Sequence, residues 1–281
     1  MTQTLYSRRA AVSVDELKRA WWAVQAGQFR SGATHDMRQP AAPPAGKGWE
    51  PGPGERVLPV IGCAGSCGAS TIALALADAS AAPARVVECS SVTASGLAAA
   101  STAELGLHES GWRRGTRDGL LLERAGDVLV SIAEVPTPST PDRPIGLTVL
   151  DVGWEVGQVL TTPAWLVEQV RSADLVVLVT TATVPGLRRL EGALELLAGT
   201  STCAAVIGPK RKKWPRPVGY SAGPLTRALD QAGCLVDVPQ DRALAIAGLD
   251  ATPLPAPLLD AAATLLRLLP AADITMKGNT P

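Results

Sequence analysis

The stretch Val57-Leu58-Pro59-Val60-Ile61-Gly62-Cys63-Ala64-Gly65-Ser66-Cys67-Gly68-Ala69-Ser70-Thr71 constrains this chain more than any other. An apolar run enters a glycine-rich turn, and the turn enters an alanine-rich helix from Ser70 to Ala79. That order of parts is a phosphate cradle. Glycines let backbone N–H groups close around an anion, a lysine normally meets the outer phosphates, and a Ser or Thr hydroxyl holds Mg²⁺. Aligning Gly68-Ala69-Ser70 with the usual Gly-Lys-Ser/Thr ending puts Ala69 where the lysine belongs. The opening glycine of the pattern falls on Cys63, with Gly62 one residue early. The cradle is expected over Gly62, Gly65, Ser66, Cys67, Gly68, Ala69, Ser70 and Thr71, without its main cation.

From residue 56 onward, apolar runs alternate with helical patterns. Strands are expected at Val57–Ile61, Arg85–Glu88, Val128–Ile132, Leu147–Asp151, Leu175–Thr180, Ala204–Ile207 and Cys234–Val236. Helices are expected at Ser70–Ala79, Gly96–Ala103, Pro163–Arg171, Leu187–Leu197, Pro224–Ala232, Arg242–Ala247 and Pro255–Leu269. Most of the strand runs are continuously apolar, as in strands covered on both faces. The fold class expected is α/β, a doubly wound and mainly parallel sheet sandwiched by helices. Ligands on such sheets bind at the carboxyl ends of the strands, where the glycine-rich turn lies. Leu120 to Val130 reads as a hairpin turning at Ala125-Gly126-Asp127, and Pro136 to Pro144 as a proline-broken loop.

The 281 residues suffice for one large α/β domain plus tails. Hydrophobic residues at 46% supply a core, and a formal net charge of +0 gives no global pull toward nucleic acid or membrane. No apolar run of about 18 residues is present, so no membrane span is expected. The first eleven residues lack a secretory apolar region, and five cysteines cannot all pair. A cytoplasmic setting with reduced thiols follows as the expectation. Usage rich in Ala, Gly, Pro and Arg is that of a GC-rich bacterial genome.

Residues 1–55 differ from the rest. Ser13 and Glu16 have capping-box spacing, opening a short amphipathic helix in a tail over residues 1–30 that carries Trp21 and Trp22. Residues 31–55 are rich in Pro and Gly and read as a linker, 56–270 as the main domain, and 271–281 as a disordered C-terminal tail. The Trp helix suits docking to a protein partner, or packing back on its own domain.

A second chemical signal is Thr148-Val149-Leu150-Asp151-Val152-Gly153. An acid ending an apolar strand downstream of a phosphate cradle places a carboxylate near Mg²⁺ through water. The alternative is a plain turn residue.

The order of these parts resembles the ParA/MinD family of P-loop ATPases, in particular its atypical branch around septum-site-determining and TadZ/CpaE-like pilus-assembly proteins. The resemblance is carried by Gly65–Thr71, by Leu150-Asp151, by Ala173–Val179 with Pro185-Gly186-Leu187-Arg188, and by Val238-Pro239-Gln240-Asp241-Arg242-Ala243-Leu244-Ala245. It covers roughly residues 56–269. It implies ATP or ADP with Mg²⁺ as cofactor, Ser70 and Asp151 at the metal, and Pro239 and Asp241 beside the base. It also implies a sandwich homodimer, although the lysine that reaches across that interface is missing. The departures are pointed. Ala64 and Ala69 stand where that family carries two lysines, and the second strand ends in Cys89-Ser90-Ser91, leaving only Glu88 where an aspartate would position water. Phosphoryl transfer depends on cations that neutralise developing charge. The expectation is therefore a pseudo-ATPase in positioning, partition or assembly. An active ATPase with a cation supplied by Lys210, Arg211 or a partner, and a nucleotide-free scaffold, are the alternatives.

Lys210-Arg211-Lys212-Lys213, followed by Trp214 and Arg216, forms a basic loop suited to DNA backbone or an acidic partner, or simply to solvent. Trp112-Arg113-Arg114-Gly115-Thr116-Arg117 would add to it only from the same face. Cys63, Cys67 and Cys89 gather near the turn as small residues or as thiols for metal or redox chemistry.

Overall fold

The computed structural model describes residues 48–270. A nine-stranded sheet forms its centre, in the order β3-β4-β5-β2-β6-β1-β7-β8-β9. The strands are β1 Arg56–Gly62, β2 Ala84–Glu88, β3 Ala103–Leu107, β4 Trp112–Arg117, β5 Leu120–Ala125, β6 Leu147–Asp151, β7 Val176–Thr181, β8 Thr202–Ile207 and β9 Leu235–Val238. From β5 to β9 every pairing is parallel, and β3–β4 and β4–β5 are antiparallel. Pro59 is tolerated in this central strand because β1 pairs only with β6 at that point, the β7 ladder starting at Val60.

The helices are α1 Ala69–Asp78, α2 Val156–Thr161, α3 Trp165–Ser172, α4 Val184–Leu196, α5 Arg216–Ser221, α6 Pro224–Gln231, α7 Arg242–Ala247 and α8 Ala256–Leu266. Alternate strand residues feed two cores. Leu58, Val60, Val86, Val149 and Val177 pack with α1 and α8 on one face. Ile61, Val87, Leu150, Val176 and Leu178 pack with α2, α3 and α4 on the other. This two-sided burial explains why the strands lack polar alternation. Among the described residues, no helix is long and apolar enough to cross a membrane.

Four local expectations are corrected. The strand expected at Val128–Ile132 is loop and a 3₁₀ turn, and the real strand is Leu120–Ala125. Its hairpin turns at Asp118-Gly119, with φ of 44° and 88°, and not at Ala125–Asp127. Asp-Gly is the dipeptide that adopts such left-handed pairs cheaply, and their twist matches that of the strands they join. The helix expected at Gly96–Ala103 is absent. Glu88 takes the N–H groups of Gly96 (2.5 Å) and Leu97 (3.2 Å), holding that segment as a loop before β3 begins. Finally, residues 48–55 are not free linker. The Trp49 ring meets Trp165 edge-on at 5.7 Å, Gln169 donates to the Trp49 carbonyl at 2.8 Å, and Glu55 pairs with Arg85 at 2.7 Å. The Trp21-Trp22 helix, most of the linker and the tail 271–281 lie outside the described residues.

Candidate nucleotide-type site

At the carboxyl end of β1 the chain leaves the sheet, and the Cys63 N–H still bonds the Val179 carbonyl of β7 at 2.8 Å. The turn needs two left-handed residues, Ser66 (φ 57°) and Gly68 (φ 91°). Gly62 must be glycine for a different reason: a Cβ there would lie 2.9 Å from the Cys67 sulfur and 3.1 Å from the Ala64 carbonyl oxygen. The Cys67 thiol fills the floor of the turn and donates to the Val179 carbonyl at 3.2 Å. Helix α1 then starts at Ala69 with no side-chain cap. Its first backbone bond is Ile72 N–H to Gly68 O, so the Ser70 and Thr71 N–H groups have no helical partner. An uncapped helix N-terminus of this kind favours an anion. Space above Gly65 is open, since a Cβ added there would meet nothing within 4 Å.

This turn forms one end of a cavity of about 740 Å³. All eight turn residues expected from the sequence line it, as do Asp151, Pro239 and Asp241. The cavity thus joins the glycine-rich turn, the end of β6 and the loop after β9, three segments far apart in sequence. Asp241 also caps α7, accepting from the Leu244 N–H at 2.9 Å. Among the described residues, no Lys, Arg or His lines the cavity, whereas Asp151, Glu155 and Asp241 do.

Asp151 is 1% exposed, and neither of its carboxylate oxygens has a hydrogen-bond partner among the described residues. Burial lifts its pKa from the usual carboxylate range to about 7, the nearby Glu88 adds to the rise, and the Ser70 hydroxyl opposes it. A buried carboxylate left without a donor beside a serine hydroxyl is the donor set that suits Mg²⁺. Glu88 is equally buried but spent. It accepts from the Ser95 hydroxyl (2.5 Å) and from Gly96 and Leu97, so it braces a loop and does not stand in for a water-positioning acid. Burial raises its pKa against those donors and Arg124. That loop closes tightly on the cradle, because a Cβ on Gly96 would lie 2.6 Å from the Ser70 hydroxyl.

The thiols have no metal or redox arrangement among the described residues. Burial pushes Cys63 up to about 12, with Cys67 adding to the rise, and burial lifts Cys67 and Cys89 as well. Protonated thiols are poor ligands and nucleophiles. Among the described residues no group of three or more His, Cys, Asp or Glu could hold a metal ion.

The basic loop stands apart from the cavity. Lys210, Lys212 and Lys213 are exposed, and none of the four basic residues lines the cavity. Arg211 is engaged by Asp230 and Asp237. A replacement cation from Lys210 or Arg211 therefore has no support in the geometry. The second basic group, unlike the first, is mostly interior. It is β4, where Trp112, Arg114 and Arg117 are buried. Arg117 donates to the carbonyls of Ala100 (3.0 Å), Asp250 (2.6 Å) and Thr252, tying the loop before β3 to the segment before α8.

Sequence reading missed Trp154, Glu155 and Gln240, which also line the cavity. Each lies within four residues of Asp151 or Pro239, and proximity to those strand ends was the available signal.

No protein-family model matches the chain, and no curated protein matches it. Among solved structures, it is similar to a plasmid partition protein from Borrelia burgdorferi at 12% identity, covering 79% of this chain and 99% of that one, with a TM-score of 0.46. Apo McdA from Cyanothece matches at 11% identity over 75% and 99% of the two chains, with a TM-score of 0.48. The cell division ATPase MinD from Pyrococcus furiosus matches at 14% identity over 76% and 99%, with a TM-score of 0.42. At likenesses this distant, the doubly wound α/β assignment rests on the chain's own strand order and two-sided core.

Proposed function

We propose that this chain is a ParA/MinD-like protein with a degenerate nucleotide site, which binds Mg-nucleotide weakly, turns it over little or not at all, and acts in positioning, partition or assembly through partners. One observation carries the reading. The cradle, the acid ending β6 and the loop after β9 line a single nucleotide-sized cavity, and among the described residues no cationic side chain lines it. Ser70 and Asp151 would hold Mg²⁺, the backbone from Gly65 to Thr71 would hold phosphate, and Pro239 and Asp241 would flank the base. A bound Mg²⁺ supplies charge neutralisation at phosphate oxygens. The chain's own residues add only backbone N–H groups and one helix N-terminus, which is little for a charge-separating transition state. Titration with a fluorescent ATP analogue should saturate, while phosphate release from Mg-ATP stays at the buffer rate. Turnover abolished by Asp151→Ala would instead make the chain an active ATPase. A titration with no saturable signal would make it a nucleotide-free scaffold.

A second reading, duplex DNA at the basic loop, is favoured by the exposure of Lys210, Lys212, Lys213 and Arg216. Backbone binding of that kind weakens steeply with salt. Retardation of a duplex at low salt, lost on neutralising residues 210–213, supports it, and absence of binding at low salt ends it. Docking of a protein partner through the Trp21-Trp22 helix and homodimerisation belong to the same proposal.

A further inference from the structure

The charge balance inside the cavity specifies which nucleotides it prefers. Its lining carries three carboxylates and, among the described residues, no Lys, Arg or His. Two of the carboxylates are partly balanced, since Glu155 caps α2 through the Gln158 N–H (3.0 Å) and Asp241 caps α7 through the Leu244 N–H (2.9 Å). Asp151 is not balanced, being 1% exposed with both oxygens unpartnered at the cradle end of the cavity. Against it stand only the Ser70 hydroxyl and the partial positive charge of the α1 N-terminus, roughly half an elementary charge. The rest of the lining is largely apolar, with Ile207 against Gly68 of the turn and Val238, Leu249, Leu258 and the Gln240 amide completing it beside Asp241. Such a wall suits a flat, uncharged base, and each phosphate added beyond it brings more negative charge toward Asp151.

We propose that this cavity is led by the nucleoside: it ranks free nucleotides in inverse order of charge, adenosine and AMP ahead of ADP and ATP, and admits polyphosphate only together with a divalent cation. The inference rests on the cavity being a nucleotide site. The metal is then the sole full positive charge at the phosphate end, so removing it converts an acceptable ligand into a repelled one.

Calorimetric titration of the full chain at pH 8 with adenosine, AMP, ADP and ATP, first in EDTA and then with MgCl₂, tests this, with ligand-induced shifts in melting temperature as a second readout. In EDTA, ATP should bind at least about tenfold more weakly than adenosine. Mg²⁺ should recover ATP by about the same factor and leave adenosine unchanged. Asp151→Asn should narrow the ranking in EDTA and remove most of the Mg²⁺ dependence, whereas Ala69→Lys should invert the ranking even without metal. If ATP in EDTA binds as tightly as adenosine, the inference is overturned and the nucleotide site stands. If no member of the series binds with or without Mg²⁺, both fall together.

Discussion

Strands β2 and β6 run side by side and bury a charge at each end, with opposite outcomes. Near their start, Arg85 lies opposite Thr148, and at their finish, Glu88 lies opposite Asp151. Arg85 is 1% exposed and fully engaged: Nε donates to the Thr148 hydroxyl at 2.7 Å, one terminal nitrogen meets Glu55 at 2.7 Å, and the other meets Glu123 (3.3 Å) and the Ser139 carbonyl (2.7 Å). The Trp49 ring centroid lies 5.5 Å from its guanidinium. Asp151 is buried to the same degree, with the Ser70 hydroxyl beside it but no hydrogen bond of normal geometry to either carboxylate oxygen among the described residues. Burying a charge is costly unless it is paired and hydrogen-bonded. Complete compensation at the first end fits a structural role, and its omission at the second is what the proposed Mg-nucleotide site would draw on.

The strongest way to break this contrast is Arg85→Met. It strands Glu55 and Glu123, and should cost about 3–5 kcal/mol in urea unfolding. A neutral result would mean that water or rearrangement already relieves those acids. Asp151→Asn should act in the other direction. The raised pKa of Asp151 means that its proton favours the fold, so that contribution is fully present below the ordinary aspartate value of 3.8 and lost as pH rises through about 7. At pH 8 in EDTA the asparagine variant should therefore be the more stable, by on the order of 4 kcal/mol, with the gap closing toward pH 4. Equal melting temperatures across that range would show that Asp151 is not desolvated. Gly68→Ala forces a side chain into a φ of 91° and a Cβ to within 2.5 Å of the Ile207 side chain. About 1–2 kcal/mol of stability should be lost, together with nucleotide-analogue binding. Smallest of all, Lys212→Glu with Lys213→Glu should change stability by less than about 0.5 kcal/mol, because both are exposed. The same pair should abolish any low-salt duplex shift.

The sheet from β2 to β9 and the cavity's turn were legible because continuous apolar runs and glycine spacing are local signals. β6 at Leu147–Asp151 and α7 at Arg242–Ala247 begin and end where the sequence places them. What was hidden depended on pairing across distance. The β4–β5 hairpin announces itself through Asp118-Gly119, but Arg113, Arg114 and Arg117 disguise β4 as a polar loop. The satisfaction of Arg114 by Asp142, and of Arg117 by Ala100, Asp250 and Thr252, is invisible in one dimension. Glu88 likewise reads as a depleted catalytic acid, and only its bonds to Ser95, Gly96 and Leu97 reveal a brace. The lack of cations along the described cavity wall, by contrast, was half visible in Ala64 and Ala69. The other half required knowing that Lys210 and Arg211 point their chemistry elsewhere.

Arg211 is gripped from two sides by Asp230 and Asp237, and its own N–H also reaches Asp237 at 3.3 Å. Its flanking lysines thus project from a stiffened stem, with Trp214 pinned to the Pro209 carbonyl at 2.8 Å. The freezing of backbone freedom that normally weakens a charged loop's grip on a polyanion has been met during folding. A polyanion offered to this loop would meet its lysines on a braced backbone, and swapping Asp237 for alanine should loosen that brace without removing a positive charge.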